Sequence, residues 1–348
     1  MEKFQLDRKE DVLVFQSKEK PFLLKVCCYS NKSIGLNKHK KIFYKEMIFK
    51  KHNVLEAGVN EIAFANFMHS SFELYNSVDM QGQIIHAESY NYSFIFCGDM
   101  ALVECIPGVA PFAKFVEHEN KIMTGIKFSQ VSQVDVDNLQ THFPKTTNEK
   151  SLLEKNNQRR RGFSLHLMKD YLPHDFVAKK ATLIQSIAFW NTMAYLFGIG
   201  DRHLTNILIH QKKYLAYFID FEMILGMGKN LPVSECVEMR LTPAVVLMYG
   251  YFGLEGMFRA HFYKIASTFW KHKKLIFEVN FSDLHERLQL SDRQGDTKTL
   301  ISMYRTRFEK DFSKEFDLHN ENVLEQIIRQ NSSKQSLMLM YSGWYPYI

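Results

Sequence analysis

The chain has 348 residues, 46% apolar and 24% charged, a globular balance that argues against disorder and leaves room for two lobes. Lys plus Arg number 44 against 38 Asp plus Glu, and this net +6 is too thin for a dedicated nucleic-acid coat, though it suits a polyanionic small ligand. Five cysteines (Cys27, Cys28, Cys97, Cys105, Cys236) show no C-x-x-C spacing, which argues against a cysteine zinc site or a disulfide framework and for a reducing compartment.

The opening MEKFQLDRKED is charged where a signal peptide needs an apolar core, so the sequons at Asn31, Asn91, Asn280 and Asn331 carry little weight. Residues 11–50 alternate short apolar runs with charged or turn-forming breaks, which predicts several short strands. From Leu55 to Tyr75 the apolar positions take helical spacing (Val59, Ile62, Ala63, Phe67). Strand signals return at Ser93–Phe96 and Ala101–Cys105, before a break at Pro107-Gly108. Polar residues 135–162, ending in Arg159-Arg160-Arg161, read as a surface loop between lobes. A localisation or acidic-partner patch stays open beside a plain solvated loop. Leu183 to Gly200 is apolar but broken by Gln185, Asn191 and Thr192, hence a buried helix rather than a membrane span. The remainder reads as mostly helical, apart from one hairpin.

That hairpin carries the chemistry. Ile207-Leu-Ile209 and Tyr214 to Ile219 are β-formers around the polar turn His210-Gln-Lys-Lys213. An antiparallel return sets Asp220 beside Asn206, an acid and an amide oxygen of the hard kind that Mg²⁺ takes beside substrate phosphates. Asp201 and His203 precede the first strand and can reach the same phosphate as base and charge stabiliser.

Gly198-Ile-Gly-Asp201-Arg202-His203-Leu-Thr-Asn206, followed by Asp220-Phe221, resembles the catalytic and metal-binding loops of the phosphatidylinositol 3-kinase and 4-kinase superfamily. Leu231-Pro-Val-Ser-Glu235-Cys-Val-Glu-Met-Arg240-Leu-Thr looks like its activation segment, and Gly253-Leu-Glu-Gly-Met-Phe258 like the helix start that follows. The ending from Leu337 through Tyr341, Gly343, Trp344 and Pro346 to Ile348, with the amphipathic Leu324/Ile327/Ile328 helix before it, resembles the FATC tail of PI3K-related protein kinases. The ATR/Mec-type checkpoint branch fits best, the ATM/Tel type next.

The resemblance implies an α+β, bilobal protein-kinase-like fold, with a β-rich N-lobe (1–108), a helical C-lobe (109–315) and a FATC segment (316–348). It implies ATP with Mg²⁺, or Mn²⁺ in its place, and a Ser/Thr protein kinase acting on Ser/Thr-Gln sites in nuclear checkpoint signalling, with cytoplasm as the alternative. Asp201 and His203 take the catalytic roles, Asn206 and Asp220 the metal, and Arg202 braces the loop. Ser17 in Ser17-Lys-Glu-Lys20-Pro21 is similar to the phosphate-covering loop. Lys50 is similar to the ATP lysine, with Lys45 and Lys51 as competitors. Glu104 and Cys105 look like the hinge that holds adenine, where a buried strand without a ligand role stays open.

Some positions depart from the family pattern. Gly58 stands where the family carries an Asp, so Glu61, on the same helical face, or else Glu56, is the expected partner of Lys50. Glu222 replaces a glycine, and Ser234, Glu238 and Met239 alter the activation segment. Relatives carry long helical regions ahead of the kinase, so a separate helical scaffold or regulatory subunit is an expected partner. Neither membrane nor direct nucleic-acid contact is expected. A FATC-bearing pseudokinase scaffold and a phosphatidylinositol kinase remain the alternatives.

Overall fold

The computed structural model describes residues 3–6, 13–14, 22–34, 37–51, 55–78, 94–97, 100–115, 173–275, 321–341 and 344, with a few single positions between 284 and 306. Ser17 and the 135–162 segment lie outside the described residues.

One antiparallel sheet runs β1-β3-β4-β6-β5, with β2 also on β3. Its strands are β1 (Lys3–Leu6), β2 (Leu13–Val14), β3 (Phe22–Ile34), β4 (Asn37–Lys51), β5 (Phe94–Cys97) and β6 (Met100–Glu104). The several short strands expected over 11–50 are instead dominated by one hairpin whose arms are 13 and 15 residues long. Positions that look like charged breaks are ladder positions. The register sets Lys25 opposite Glu46, and opposite charges across a ladder stabilise it rather than end it.

α1 (Leu55–Val78) lies between β4 and β5 in the chain, yet its aromatic residues pack against the helical half. Phe67 meets Phe197 edge-on at 4.8 Å, Phe72 meets Phe189 at 5.3 Å, and Tyr75 stacks on Phe269 at 5.7 Å. These partners belong to α2 (Pro173–Phe197) and α4 (Met257–Lys271), so one contiguous core ties α1 to the helical half. Aromatic pairs at such spacings each add about 0.5–1.5 kcal/mol beyond their buried area.

β7 (Val109–Pro111), β8 (Ile207–His210) and β9 (Ala216–Phe218) form a second sheet in that order. The expected two-stranded hairpin thus gains a third strand, because Ala110 pairs with Ile209. β9 is an edge, and α2 covers it. Trp190 Nε1–H donates to Ala216 O at 2.8 Å, and Ser186 Oγ accepts from Ala216 N–H at 3.0 Å. Trp190 also stacks on Phe218 and Phe221, which fixes the hairpin's angle against the helix. Ser186 and Asn191 of α2 thus reach neighbouring backbone, at Ala216 and Arg240, while Thr192 bonds back to Ala188 O within the helix. No helix among the described residues is long and apolar enough to cross a membrane.

The chain continues through α3 (Pro243–Met248) and α4, and ends in α5 (Glu321–Ser332) and α6 (Lys334–Met338). Leu324, Ile327 and Ile328 of α5 are buried in the main core. Leu337, Met340 and Trp344 form a satellite cluster with Val237.

Candidate active site

The loop from Gly198 to Asn206 enters β8, and the chain leaves β9 through Ile219, Asp220 and Phe221. Ile219 N–H donates to Asn206 O at 3.1 Å, which closes the mouth of the hairpin between the two expected metal ligands. Farther along, Gly200 N–H donates to Met223 O at 2.8 Å and Gly226 N–H to Gly198 O at 2.9 Å, so the outgoing chain returns along the incoming loop.

Arg202 organises this turn from within. It is 2% exposed; Nε donates to Gly200 O at 2.6 Å, Nη1 to Ile219 O at 2.6 Å, and Nη2 to Asp220 O. Its guanidinium lies over the Phe218 and Phe221 rings at 5.6 and 5.8 Å. A planar fork of donors is what three converging carbonyls require; a lysine ammonium cannot span them.

Asp201 and Asp220 both adopt left-handed backbone, with φ of 55° and 61°. Such conformations cost a non-glycine residue about 1–3 kcal/mol and persist where surrounding bonds hold them. At Asp201 those bonds are explicit. Its N–H donates to Glu235 Oε1 at 2.7 Å, and its carbonyl accepts from Asn206 Nδ2 at 2.9 Å. The same Nδ2 lies 3.5 Å from Asp201 Oδ2. With its amide hydrogens turned to Asp201, Asn206 keeps its carbonyl oxygen as the atom to offer a cation.

His203 has a defined tautomer. The Thr205 backbone N–H reaches Nδ1 at 3.3 Å and the Thr205 hydroxyl lies 2.7 Å from the same atom. A backbone N–H can only donate, so Nδ1 carries the lone pair and Nε2 the proton. Nε2 is 3.8 Å from Asp201 Oδ2, within ion-pair range and beyond a hydrogen bond. Burial holds the imidazole below its usual pKa, helped by the Arg202 and Arg240 charges and opposed by Asp201 and Asp220.

Glu61, on α1, is 2% exposed, and its carboxylate comes within 4.8 Å of those of Asp220 and Glu222. These three carboxylates are all hard oxygen and fit a divalent cation. Sequence reasoning expected Glu61 beside Lys50; its place beside Asp220 was not foreseen. The only available signal was its spacing on α1, because a helix buried against the Asp220 loop cannot be read from local pattern. Lys50 belongs to β4, opposite Ala101 of β6. Its side chain, like Ser17, lies outside the described residues.

Glu104 ends β6 opposite Met47. Cys105 N–H donates to Glu46 O at 2.8 Å, which carries the β4–β6 ladder one residue past Glu104. Burial, with Glu46 and Glu104 nearby, pushes the Cys105 thiol up to about 12, which makes it an inert packing group.

The activation segment is held from two sides. Asn191 of α2 accepts from Arg240 N–H at 2.6 Å, and Asn331 of α5 accepts from Glu238 and Met239 N–H at 2.7 and 2.9 Å. The fully buried Arg240 donates through Nη1 to Arg202 O at 3.0 Å and to Trp344 O at 2.7 Å, with the Trp344 ring 4.4 Å away. Burial lowers its pKa to about 9. Lys229 pairs with Glu238 at 2.8 Å.

The model of the phosphatidylinositol 3- and 4-kinase family matches residues 68–281, more than half of the chain. The chain belongs to this family. Its kinase domain is distantly similar to the probable serine/threonine-protein kinase MEC1 homolog of Encephalitozoon cuniculi, 28% identical over 51% of this chain and 10% of that protein. It is also similar to serine/threonine-protein kinase TEL1 of Kluyveromyces lactis (26% over 50% of the chain and 8% of that protein) and ATR of Drosophila melanogaster (24% over 49% and 7%). These alignments span a tenth or less of the relatives' own lengths. Among solved structures, the FAT and kinase domain of CtTel1 superposes with a TM-score of 0.73 at 19% identity, covering 97% of this chain and 23% of that one. The kinase domain thus has the mixed α+β fold of PI3K-related kinases, and such a domain implies ATP and a divalent cation.

Proposed function

We propose that this domain transfers the γ-phosphoryl group of ATP to serine or threonine hydroxyls of protein substrates. One observation carries the choice of protein over lipid: the cation within the activation segment and the one just ahead of it both have partners. Lys229 is paired with Glu238, and Arg240 is buried against two carbonyls and Trp344. An inositol phosphate headgroup needs cations it can reach, whereas a hydroxyl on an extended peptide needs none.

Asp201 orients the incoming hydroxyl and accepts its proton as the oxygen bonds to the γ-phosphorus and the bond to ADP breaks. Neutral His203 presents its Nε2–H as a donor to charge building on the phosphoryl oxygens. Asn206 and Asp220 hold the divalent cation, with Glu61 and Glu222 close enough to Asp220 to join it. When bound, that ion neutralises charge on the nucleotide's phosphates. Lys50 serves the phosphates, Ser17 covers them, and Glu104 and Cys105 line the adenine end.

From the ATR/Mec and ATM/Tel resemblance we carry a preference for Ser/Thr-Gln, a nuclear checkpoint role, and a helical scaffold or regulatory subunit as partner. The test offers a Ser/Thr-Gln peptide and phosphoinositide vesicles side by side with ATP and Mg²⁺. Wild type is expected to phosphorylate the peptide, and Asp220→Ala to lose about a hundredfold or more, since a catalytic metal contributes several kcal/mol. Vesicle phosphorylation without peptide turnover would overturn the protein-kinase assignment. Wild-type activity no higher than that of Asp220→Ala would make the domain a scaffold.

A further inference from the structure

We propose that Glu235 is a positioning residue, which locks Asp201 in its left-handed backbone and thereby makes the activation segment set the nucleophile-orienting acid. The proposal rests on the reading of Asp201 given above.

Glu235 and Asp201 are 34 positions apart, yet Oε1 accepts from the Asp201 N–H at 2.7 Å. The carboxylate is threaded between two glycines. A Cβ on Gly200 would come 2.3 Å from Oε2, and one on Gly228 would come 2.0 Å from it. Neither glycine has a positive φ, so both are required for space and not for backbone freedom. Glu235 N–H donates to Gly228 O at 3.1 Å, which ties the base of the side chain to the same turn.

The consequence for Asp201 follows from where its bonds go. Glu235 takes the amide hydrogen and Asn206 the carbonyl, so the residue is pinned on both peptide sides. Its carboxylate meanwhile stays 44% exposed, open to a substrate hydroxyl. A residue with φ near 55° falls back to ordinary backbone once one pin is removed, and the carboxylate swings with it. Glu235 is bonded to the backbone of Asp201, so its effect on phosphoryl transfer runs through that residue.

The experiment measures kcat and KM for ATP with a Ser/Thr-Gln peptide, using the whole chain, for Glu235→Ala, Glu235→Gln and Gly228→Ala. Glu235→Ala should lower kcat about a hundredfold, the scale of a catalytic group misplaced by an ångström, with ATP KM little changed. Glu235→Gln keeps an acceptor for the Asp201 N–H and should recover most of that loss. Gly228→Ala should mimic Glu235→Ala, because its methyl takes the carboxylate's place, and the double variant should be no worse than either single. Hydrogen exchange at the Asp201 amide is the readout independent of turnover: slow in wild type and Glu235→Gln, fast in Glu235→Ala. Unchanged kcat in Glu235→Ala, equal losses in the Ala and Gln variants, or kcat and ATP KM moving together would overturn the proposal. If Glu235→Ala does not fold, Gly228→Ala against Glu235→Gln decides in the same way. An inactive wild type would sink the kinase reading alone, and the exchange measurement would still judge Glu235.

Discussion

The candidate catalytic hairpin and the activation segment sit side by side and are stabilised by different means. Arg202 closes the hairpin with acceptors at most 18 positions away, at Gly200, Ile219 and Asp220. Residues 236–240 of the activation segment take hydrogen-bond partners 38 to 104 positions away, at Asn191, Arg202, Asn331, Met340 and Trp344. A segment without secondary structure cannot pair its own buried N–H groups, so the helices around it must supply acceptors. The turn of the hairpin is therefore closed mostly from within, with Glu235, Arg240 and α2 as its outside supports, while the activation segment keeps its shape only as long as α2, α5 and the C-terminal tail hold it.

The sharpest way to break this contrast is Arg240→Ala. It removes a buried guanidinium from two carbonyls and an indole face, and is expected to cost roughly 3–5 kcal/mol, read by chemical denaturation. Arg240→Lys should recover only part, since an ammonium can donate to the Arg202 and Trp344 carbonyls as Nη1 does but offers the Trp344 ring no planar guanidinium. A loss below about 1 kcal/mol would mean that the tail does not brace the segment.

Asn331→Ala comes next. It leaves the Glu238 and Met239 N–H groups without their acceptor, at roughly 2–4 kcal/mol. Faster hydrogen exchange should be confined to the activation segment while β8 and β9 stay protected. Equal loosening of both regions would erase the distinction.

The smallest effect sharpens the hairpin side. His203 has its folded pKa held below the ordinary 6.5 chiefly by burial. The unfolded chain therefore binds more protons in the window just under 6.5, and the stability that neutral His203 contributes above it is lost as pH falls toward the folded value. Its NMR titration should show a midpoint below 6.5 that drops further in Asp201→Asn, because the Asp201 charge is the largest influence raising it. An upward shift in that variant would contradict the electrostatics of the loop.

Legibility followed the same division. The loop from Asp201 to Asn206 and the return to Asp220 could be read because a two-strand excursion is a short-range object, with β-formers and turn residues in plain order. The α2 helix could be read from its apolar run, and α5 from Leu324, Ile327 and Ile328. The long β3–β4 hairpin was not legible as such, because charged ladder positions and charged breaks look alike until the register is known. Glu61 beside Asp220 and Glu235 beneath Asp201 depend on helices and loops meeting across the core, which local pattern does not encode.

By itself the amino-acid sequence determined the chemistry on offer: an acid, an imidazole, an amide and a second acid at spacings that a hairpin must bring together. Tertiary structure alone decided which groups would hold them, namely Glu235 on the Asp201 amide, Arg240 between catalytic loop and tail, and Glu61 in the acidic cluster. The physical reason is range. Strand pairing and turn geometry act over a few residues and leave a local imprint, whereas satisfying a buried N–H or seating a buried charge depends on whichever distant element packing delivers.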